Sequence, residues 1–327
     1  MTLTLRARVE HWPIAGSFAI SRGAKTVADV VVAELSDGTH TGRGECVPNP
    51  RYGESIDGVV DAIEGLAAEL AHDLDRAGLQ RAMPSGAARN AVDCAFWDLE
   101  AKCSGKRAYE LAGLAAPQSL VTAYTISLDT PERMARAAHA VGDRALLKVK
   151  LGSDGDPARI AAVRHVAPRA VLIVDANEGW SSANLDTNLT ACVAAGVLLI
   201  EQPLSADNDT ALAANAHRIP ICADESVHDR ASLARLRGKY DAVNIKLDKT
   251  GGLTEALALA DEAERLGFQL MVGCMVATSL AIAPAMLVAQ RAHFVDLDGP
   301  LLLARDREHE LRYSGSEVFP SDPALWG

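Results

Sequence analysis

The sequence predicts an α/β protein in which an α+β domain precedes an eight-unit parallel barrel of the TIM type. Three observations carry that prediction. From Thr122 onward, short β-branched runs alternate with Ala/Leu-rich stretches of helical period, the pattern of a parallel sheet covered by helices. Eight such runs occur, at 121–126, 145–151, 171–176, 197–202, 219–224, 242–247, 269–274 and 293–297, and most are apolar without alternation, as in strands buried on both faces. Finally, charged residues stand near the ends of five consecutive runs: Lys148 and Lys150, Asp175, Glu201, Asp224 and Lys246, separated by about one βα unit of roughly 25 residues.

Taken in order, residues 1–115 read as the α+β domain. Two long strands (2–11 and 25–36), a turn at Asp37-Gly38 and a third strand (40–46) precede helical patterns over 55–73 and 86–104. The barrel occupies 116–303. Helix starts within it carry capping signals: Thr130-Pro131-Glu132 sets a cap, a first-turn proline and an acid in order, and Asp156-Pro157 repeats the cap and proline. After Gly299-Pro300 no further βα unit follows. The segment 304–327, with its strand-like Leu311-Arg312-Tyr313, is expected to pack back on the first domain.

Composition narrows the function. A net charge of -11 without a Lys/Arg cluster speaks against a nucleic-acid surface. Met1-Thr2-Leu3-Thr4-Leu5-Arg6 lacks the apolar run of a signal peptide, and no stretch of ~20 apolar residues could span a bilayer, so a cytoplasmic protein is expected. The six cysteines form no CxxC pair and read as reduced core thiols rather than a zinc site or a disulfide scaffold. Oligomeric state stays open, a homo-oligomer included.

The charged ladder carries the chemistry. Residues i and i+2 of a strand share a face, so Lys148 and Lys150 project together into the barrel mouth. Two amines repel there unless anions neutralise them, and Asp175, Glu201 and Asp224 supply those anions. A single Asp at a strand end is more often a cap or turn residue, and a single Lys is usually solvated, but capping has no need of lysines bracketing three acids. The acids form an all-oxygen ligand set that suits Mg2+ rather than zinc. Lys150 and Lys246, on the second and sixth strands, face each other across the axis. One is expected to remove the α-proton of a metal-held carboxylate and the other to return it, with neighbouring cations lowering their pKa and Lys148 meeting the enolate's charge.

This pattern resembles the enolase superfamily in its muconate-lactonising subgroup: KxK, then Asp, Glu and Asp, then Lys on strand six, over nearly the whole chain. The resemblance implies an α+β capping domain, a modified TIM barrel written (βα)7β, and a tail returning to the cap. More specific are Pro50-Arg51-Tyr52-Gly53-Glu54-Ser55, Ala88-Arg89-Asn90-Ala91-Val92-Asp93-Cys94, Asn244-Ile245-Lys246-Leu247-Asp248-Lys249-Thr250-Gly251-Gly252 and Asp296-Leu297-Asp298-Gly299-Pro300, which look like the L-Ala-D/L-Glu epimerases acting on murein dipeptides in cell-wall recycling. By that resemblance Asp296 and Asp298 bind the ammonium of the N-terminal alanine, and Arg22, in the Ser21-Arg22-Gly23 loop, holds the glutamate side-chain carboxylate. The same resemblance implies that Thr125, Cys274 and Val276 line the substrate pocket.

Physical chemistry agrees: a carboxylate pair suits a free amine, and a guanidinium matches a carboxylate bidentately. Rival readings are an epimerase of other dipeptides, then a muconate cycloisomerase, o-succinylbenzoate synthase or N-acylamino-acid racemase, which the Asp pair disfavours. A barrel retired to a binding role would have lost a ligand or base. Tyr52 reads as closing the mouth, Asp248 as orienting Lys246, and Glu225 as tuning the metal or starting a turn. Gly251-Gly252 reads as a turn that lets the backbone pass close to the site.

Overall fold

The computed structural model describes residues 3–70, 74–152, 154–214 and 217–327; the expected strand start at Thr2 and the end of the first helical pattern at 71–73 lie outside the described residues. β1 (Thr4–Ile20) pairs antiparallel with β2 (Gly23–Ser36), and β2 with β3 (Thr41–Cys46), in the order β1-β2-β3. The sequence predicts a first strand over 2–11, and the observed strand runs on through Pro13 and Gly16 to Ile20. As an edge strand β1 tolerates the proline, and it absorbs the irregularity as a register shift between Pro13 and Phe18. Ser21-Arg22 is therefore the two-residue tip of a long hairpin, with Ile20 paired to Gly23.

Helices α1 (Ile56–Glu64), α2 (Ala67–Leu70), α3 (Arg76–Ala82), α4 (Ala87–Ser104) and α5 (Ala108–Leu111) complete the cap. α4 buries Ala91 and Ala95 against Val31, Ala33 and Leu35 of β2. The backbones approach so closely that a Cβ on Gly44 would stand 2.1 Å from Ala91 O, and one on Gly42 2.1 Å from Ala95 O.

The expected strand 121–126 divides in two. Its start, β4 (Leu120–Val121), leaves the barrel, and its end, β5 (Tyr124–Ile126), begins it. β6 (Leu146–Lys150), β7 (Val171–Asp175), β8 (Val197–Glu201), β9 (Ile221–Ala223), β10 (Ala242–Ile245), β11 (Gln269–Gly273) and β12 (Phe294–Asp296) follow in consecutive parallel order. Ala123 N donates to Val295 O at 2.8 Å, joining the first strand to the last. The crossovers carry α6 (Pro131–Ala140), α7 (Asp156–Val166), α8 (Leu185–Ala194), α9 (Leu247–Thr250), α10 (Leu253–Arg265) and α11 (Ser279–Ala289). On either side of β9 the described crossover residues run through 3-10 turns, at Thr210–Ala214 and Arg230–Leu236, instead of an α-helix. Thr130 caps α6 as expected, whereas Gly155 takes the cap position of α7 and moves Asp156 inside the helix, where it accepts from Gly152 N and Trp180 Nε1.

Period-two alternation builds the barrel from the bottom up. Leu147, Val149, Leu172, Val174, Val243, Ile245, Leu270 and Val272 point outward and pack under the helices. Ala123, Leu146, Ile173, Leu199, Cys222, Ala242, Met271 and Phe294 point inward and form a separate apolar floor with a member from each strand or its start. Two residues further along every strand the inner face turns polar: Thr125, Lys148, Asp175, Glu201, Asp224, Asn244 and Asp296, with Gly273 on β11. A Cβ on Gly273 would stand 2.8 Å from the Asn244 amide, so glycine leaves room for that side chain.

The tail returns by two routes. β13 (Tyr313–Ser314) and β14 (Glu317–Val318) form a hairpin that pairs with β4 rather than with the cap sheet. Beyond it, Trp326 is buried and donates to Cys94 O of α4 at 3.0 Å, and Gly327 N donates to Asp98 Oδ1 at 2.8 Å. Among the described residues no helix is long and apolar enough to cross a membrane. The close approach of β3 to α4 makes Gly44→Ala costly: we expect a loss of ~1–3 kcal/mol in denaturant unfolding, and an unchanged midpoint would show that the helix can move aside.

Candidate active site

Register carries Lys150, Asp175 and Glu201 to one level, each the paired neighbour of the next. Asp224 directly follows β9, and Lys246 precedes α9. Oxygen atoms of Asp175, Glu201 and Asp224 all lie within 4.8 Å of one another, and the three residues are buried. Such a cluster of like charges stands only because cations surround it.

Lys148 Nζ lies 2.6 Å from Glu201, 2.7 Å from Asp296 and 3.2 Å from Asp175. Burial alone would strip its proton, but Asp296, Glu201 and Asp175 outweigh burial and hold its pKa well above the ordinary lysine value. Lys150 Nζ pairs with Asp175 Oδ2 at 2.6 Å, and Lys246 Nζ with Asp224 Oδ2 at 2.7 Å. Burial again pulls Lys246 down, yet Asp224 and Glu201 raise it overall. For Glu201, burial and then Asp175 dominate and push the carboxyl up to about 8. Its Oε2, although 2.6 Å from Lys148, lies outside hydrogen-bonding geometry. Three buried carboxylates with such an unsatisfied oxygen fit a hard divalent cation of the Mg2+ type.

Two members of this layer were not singled out in the sequence. Lys249 Nζ donates to Asp224 Oδ1 and Asp224 O, both at 2.5 Å, so Asp224 is held by two lysines. Burial is the main influence on Lys249 and lowers its pKa. Asn244 Nδ2 donates to Glu201 Oε1 at 2.6 Å. The signal for Asn244 was available, since it lies two residues before Lys246 on the same strand face; Lys249 lies beyond the strand, where that period no longer applies. Gln202 adds a further support, its Oε1 accepting from Asp224 N and Ser226 N at 2.8 and 3.1 Å. Asn177, Glu178 and Gln202 adopt positive φ of 44°, 64° and 34°, uncommon for residues with side chains, immediately after the strands that deliver Asp175 and Glu201.

Cap and barrel together enclose a cavity of about 510 Å3, within the usual range for a small-molecule site. Arg22, Thr125, Lys148, Lys150, Asp224, Lys246, Cys274, Val276, Asp296 and Asp298 all line it, with Phe18, Tyr52 and Glu225. Phe18, also unassigned from sequence, places its ring centroid 5.6 Å from Lys150 Nζ. Arg22 is already engaged: it donates to Asn177 O and Glu225 Oε1 at 2.8 and 2.7 Å and pairs with Glu178 at 3.2 Å. Glu225 is thus a buried partner of Arg22. Asp298 Oδ2 accepts from Thr125 N at 2.6 Å, and burial followed by Asp296 pushes it up to about 7. Asp296 Oδ1 is buried without a hydrogen-bond partner among the described residues. Tyr52 packs edge-on against His228 with ring centroids 4.8 Å apart.

Asp248 corrects the sequence reading. Its Oδ1 accepts from Val47 N and Asn90 Nδ2 at 3.0 and 2.9 Å, so it ties α9 to the cap instead of orienting Lys246. The same junction explains Gly251-Gly252: a Cβ on either glycine would stand 2.4 Å from the Arg89 or Asp93 side chain of α4, and both φ values are positive. Arg89 donates to Thr250 O and Gly251 O, while Asp93 accepts from Thr254 N. The cysteines also need amendment: Cys103 is exposed and Cys274 half-buried, not core thiols.

A cap over a (βα)7β barrel, with three clustered acids between lysines on opposing strands, defines a class. Residues 131–322 match the enolase C-terminal domain-like family, and residues 2–113 match the mandelate racemase/muconate lactonizing enzyme N-terminal domain. The chain belongs to the enolase superfamily and is an isomerase. It is 46% identical over 317 residues to the L-Ala-D/L-Glu epimerase of Escherichia coli, covering 96% of this chain and 99% of that one. It is 44% identical over 300 residues to an N-acetyl-D-glutamate racemase of Pseudoalteromonas sp., covering 91% and 95%. A crystal structure of an enolase family member from Agrobacterium tumefaciens with homology to dipeptide epimerases, holding sodium and L-Ala-L-Glu, superposes with a TM-score of 0.98 at 57% identity over 99% of this chain and 100% of that one.

The Asp248 junction generates a pH prediction. Burial is the main influence on this carboxyl and pushes it up to about 7 in the folded chain, against about 3.9 unfolded. The native state holds the extra proton between those values, so this contribution to stability is present below about pH 4 and is lost as pH rises through 7. Asp248→Asn keeps an acceptor and removes the titration. It should remove on the order of a few kcal/mol of the fall in unfolding free energy between about pH 4 and 8; an unchanged slope would contradict the assignment.

Proposed function

We propose that the chain epimerises L-Ala-D/L-Glu at the glutamate α-carbon, a cytoplasmic step in the recycling of cell-wall peptide. The observation that carries this reading is the Asp296/Asp298 pair: both residues line the cavity, and Asp296 Oδ1 is buried with no hydrogen-bond partner among the described residues. A substrate ammonium supplies a charged donor to the carboxylate pair, whereas an acylated nitrogen has one N–H and no charge. Similarity to the Escherichia coli epimerase and to the structure holding L-Ala-L-Glu supports the same assignment. In this reading the cap, 1–115, closes over the barrel, 116–303, and the segment 304–327 braces the two.

Asp175, Glu201 and Asp224 would hold Mg2+. When bound, the cation supplies Lewis-acid stabilisation of the charge that develops on the substrate carboxylate. The chain's own residues do the rest. Lys148, kept charged by its three carboxylate neighbours, meets the same developing charge. Lys150 and Lys246 approach the α-carbon from opposite faces; one takes the proton and the other, as an ammonium, returns one to the far face. Lys246 is a poor base while Asp224 holds its ammonium, so its base role requires that Asp224's charge be engaged elsewhere. Arg22 reaches the cavity from the hairpin tip and retains donors for the glutamate side chain, while Thr125, Cys274 and Val276 shape the walls.

A second reading rests on Asp298, which at about 7 is partly protonated near neutrality and could donate to an acyl oxygen. The similarity to the N-acetyl-D-glutamate racemase favours it. Exchange of the α-proton in deuterium oxide with Mg2+ separates the two. L-Ala-L-Glu should exchange with a kcat/KM on the order of 100-fold or more above N-acetylglutamate, and chelation should stop exchange. Efficient exchange of N-acetylglutamate with none of any dipeptide would overturn the proposal. Arg22→Met should raise KM for L-Ala-L-Glu by about 10-fold or more and leave an apolar dipeptide nearly unaffected; equal losses on both would remove Arg22 from recognition.

A further inference from the structure

On the cap, away from the cavity, the turn between β2 and β3 meets the C-terminal end of α4. Three metal-ligating side chains converge there. Cys103 Sγ lies 3.3 Å from Asp37 Oδ2 and 3.7 Å from His40 Nδ1, and His40 Nδ1 lies 3.6 Å from Asp37 Oδ2. Ordinary zinc bond lengths at a tetrahedral angle place ligand atoms about 3.5 Å apart for S and O, about 3.6 Å for S and N and about 3.3 Å for N and O. Each observed edge is within about 0.3 Å of that geometry. A thiol-to-carboxylate hydrogen bond accounts for the first distance alone. The imidazole nitrogen reaches the same two atoms, within sulfur hydrogen-bonding distance of Cys103 and ion-pair distance of Asp37, which closes the triangle of donors.

The turn holds these atoms in place. Asp37 Oδ1 accepts from Thr39 N and His40 N at 2.8 and 2.7 Å, which leaves Oδ2 aimed at Cys103 and His40. Ser36 Oγ donates to His40 O at 2.8 Å, fixing the far side of the turn. The neighbouring Lys102 is bonded to Asp98 Oδ2 and Thr41 O, so its charge is already paired. Cys103 is exposed, leaving a fourth tetrahedral position toward solvent. We propose that Asp37, His40 and Cys103 form a binding site for a zinc-class divalent cation that staples the β2–β3 turn to the end of α4. The mixed S, N and O donor set selects such metals over Mg2+, whereas the all-oxygen barrel triad does the reverse.

The test uses the full chain, freed of metal by a chelator and then saturated with Mg2+ to occupy the barrel acids. Titration with Co2+ should produce a thiolate-to-cobalt charge-transfer band and the visible bands of a tetrahedral site, saturating at one equivalent and displaced by Zn2+. Zn2+ should also raise the melting temperature by a few degrees. Both effects should vanish in Cys103→Ser and in His40→Ala, surface variants that should keep the α-proton exchange of the parent. Absence of a thiolate band, or a band that survives Cys103→Ser and so belongs to another thiol such as Cys274, would overturn the proposal. The readout is independent of the substrate assigned above.

Discussion

Three carboxylates buried within 4.8 Å of one another are the constraint on which the rest of the molecule depends. No apolar core would accept them alone, and the chain answers with Lys148, Lys150, Lys246 and Lys249, each in direct contact with an acid. Barrel curvature and closure also bring Asp296 of the last strand to 2.7 Å from Lys148 of the second. An apolar floor lies beneath, which Leu146, Ile173, Leu199 and Met271 provide. Just past Asp175 and Glu201 the chain turns through Asn177, Glu178 and Gln202 at positive φ.

The cap is joined to this centre at two places, through backbone groups and supporting side chains. Arg89, Asn90 and Asp93 of α4 hold both ends of α9 and the start of α10, and so hold the segment that carries Lys246 and Lys249. On the other side Ser21 and Arg22 both donate to Asn177 O at 2.8 Å, which pins the hairpin tip to the turn after Asp175. Substrate chemistry and cap position are therefore linked through two short segments, one beside each proposed base.

Much of this was legible in the sequence for a physical reason. Parallel strands buried on both faces leave uninterrupted apolar runs, and charge within such a run stands out. The cap motif around Arg89 was visible too, although its partner, the Gly251-Gly252 turn, meets the cap helix rather than a ligand. Legibility failed where a local rule yielded to tertiary context. The first strand continues past its expected end through Pro13 and Gly16, and the crossovers around β9 carry 3-10 turns where the βα rhythm led to helices. Lys249 and the direction of Asp248 were hidden because α9 is a single turn whose contacts come from β9 and the cap.

In the proposed reaction Lys150 and Lys246 address one carbon from opposite faces. This arrangement is tested most directly by comparing Lys150→Ala and Lys246→Ala, each incubated in deuterium oxide with L-Ala-L-Glu and, separately, L-Ala-D-Glu. The account predicts that neither variant inverts the centre, and that any exchange each retains is confined to one diastereomer, the opposite one in the two variants. Inversion at the parent rate by either variant, or retention of the same diastereomer's exchange by both, would contradict it.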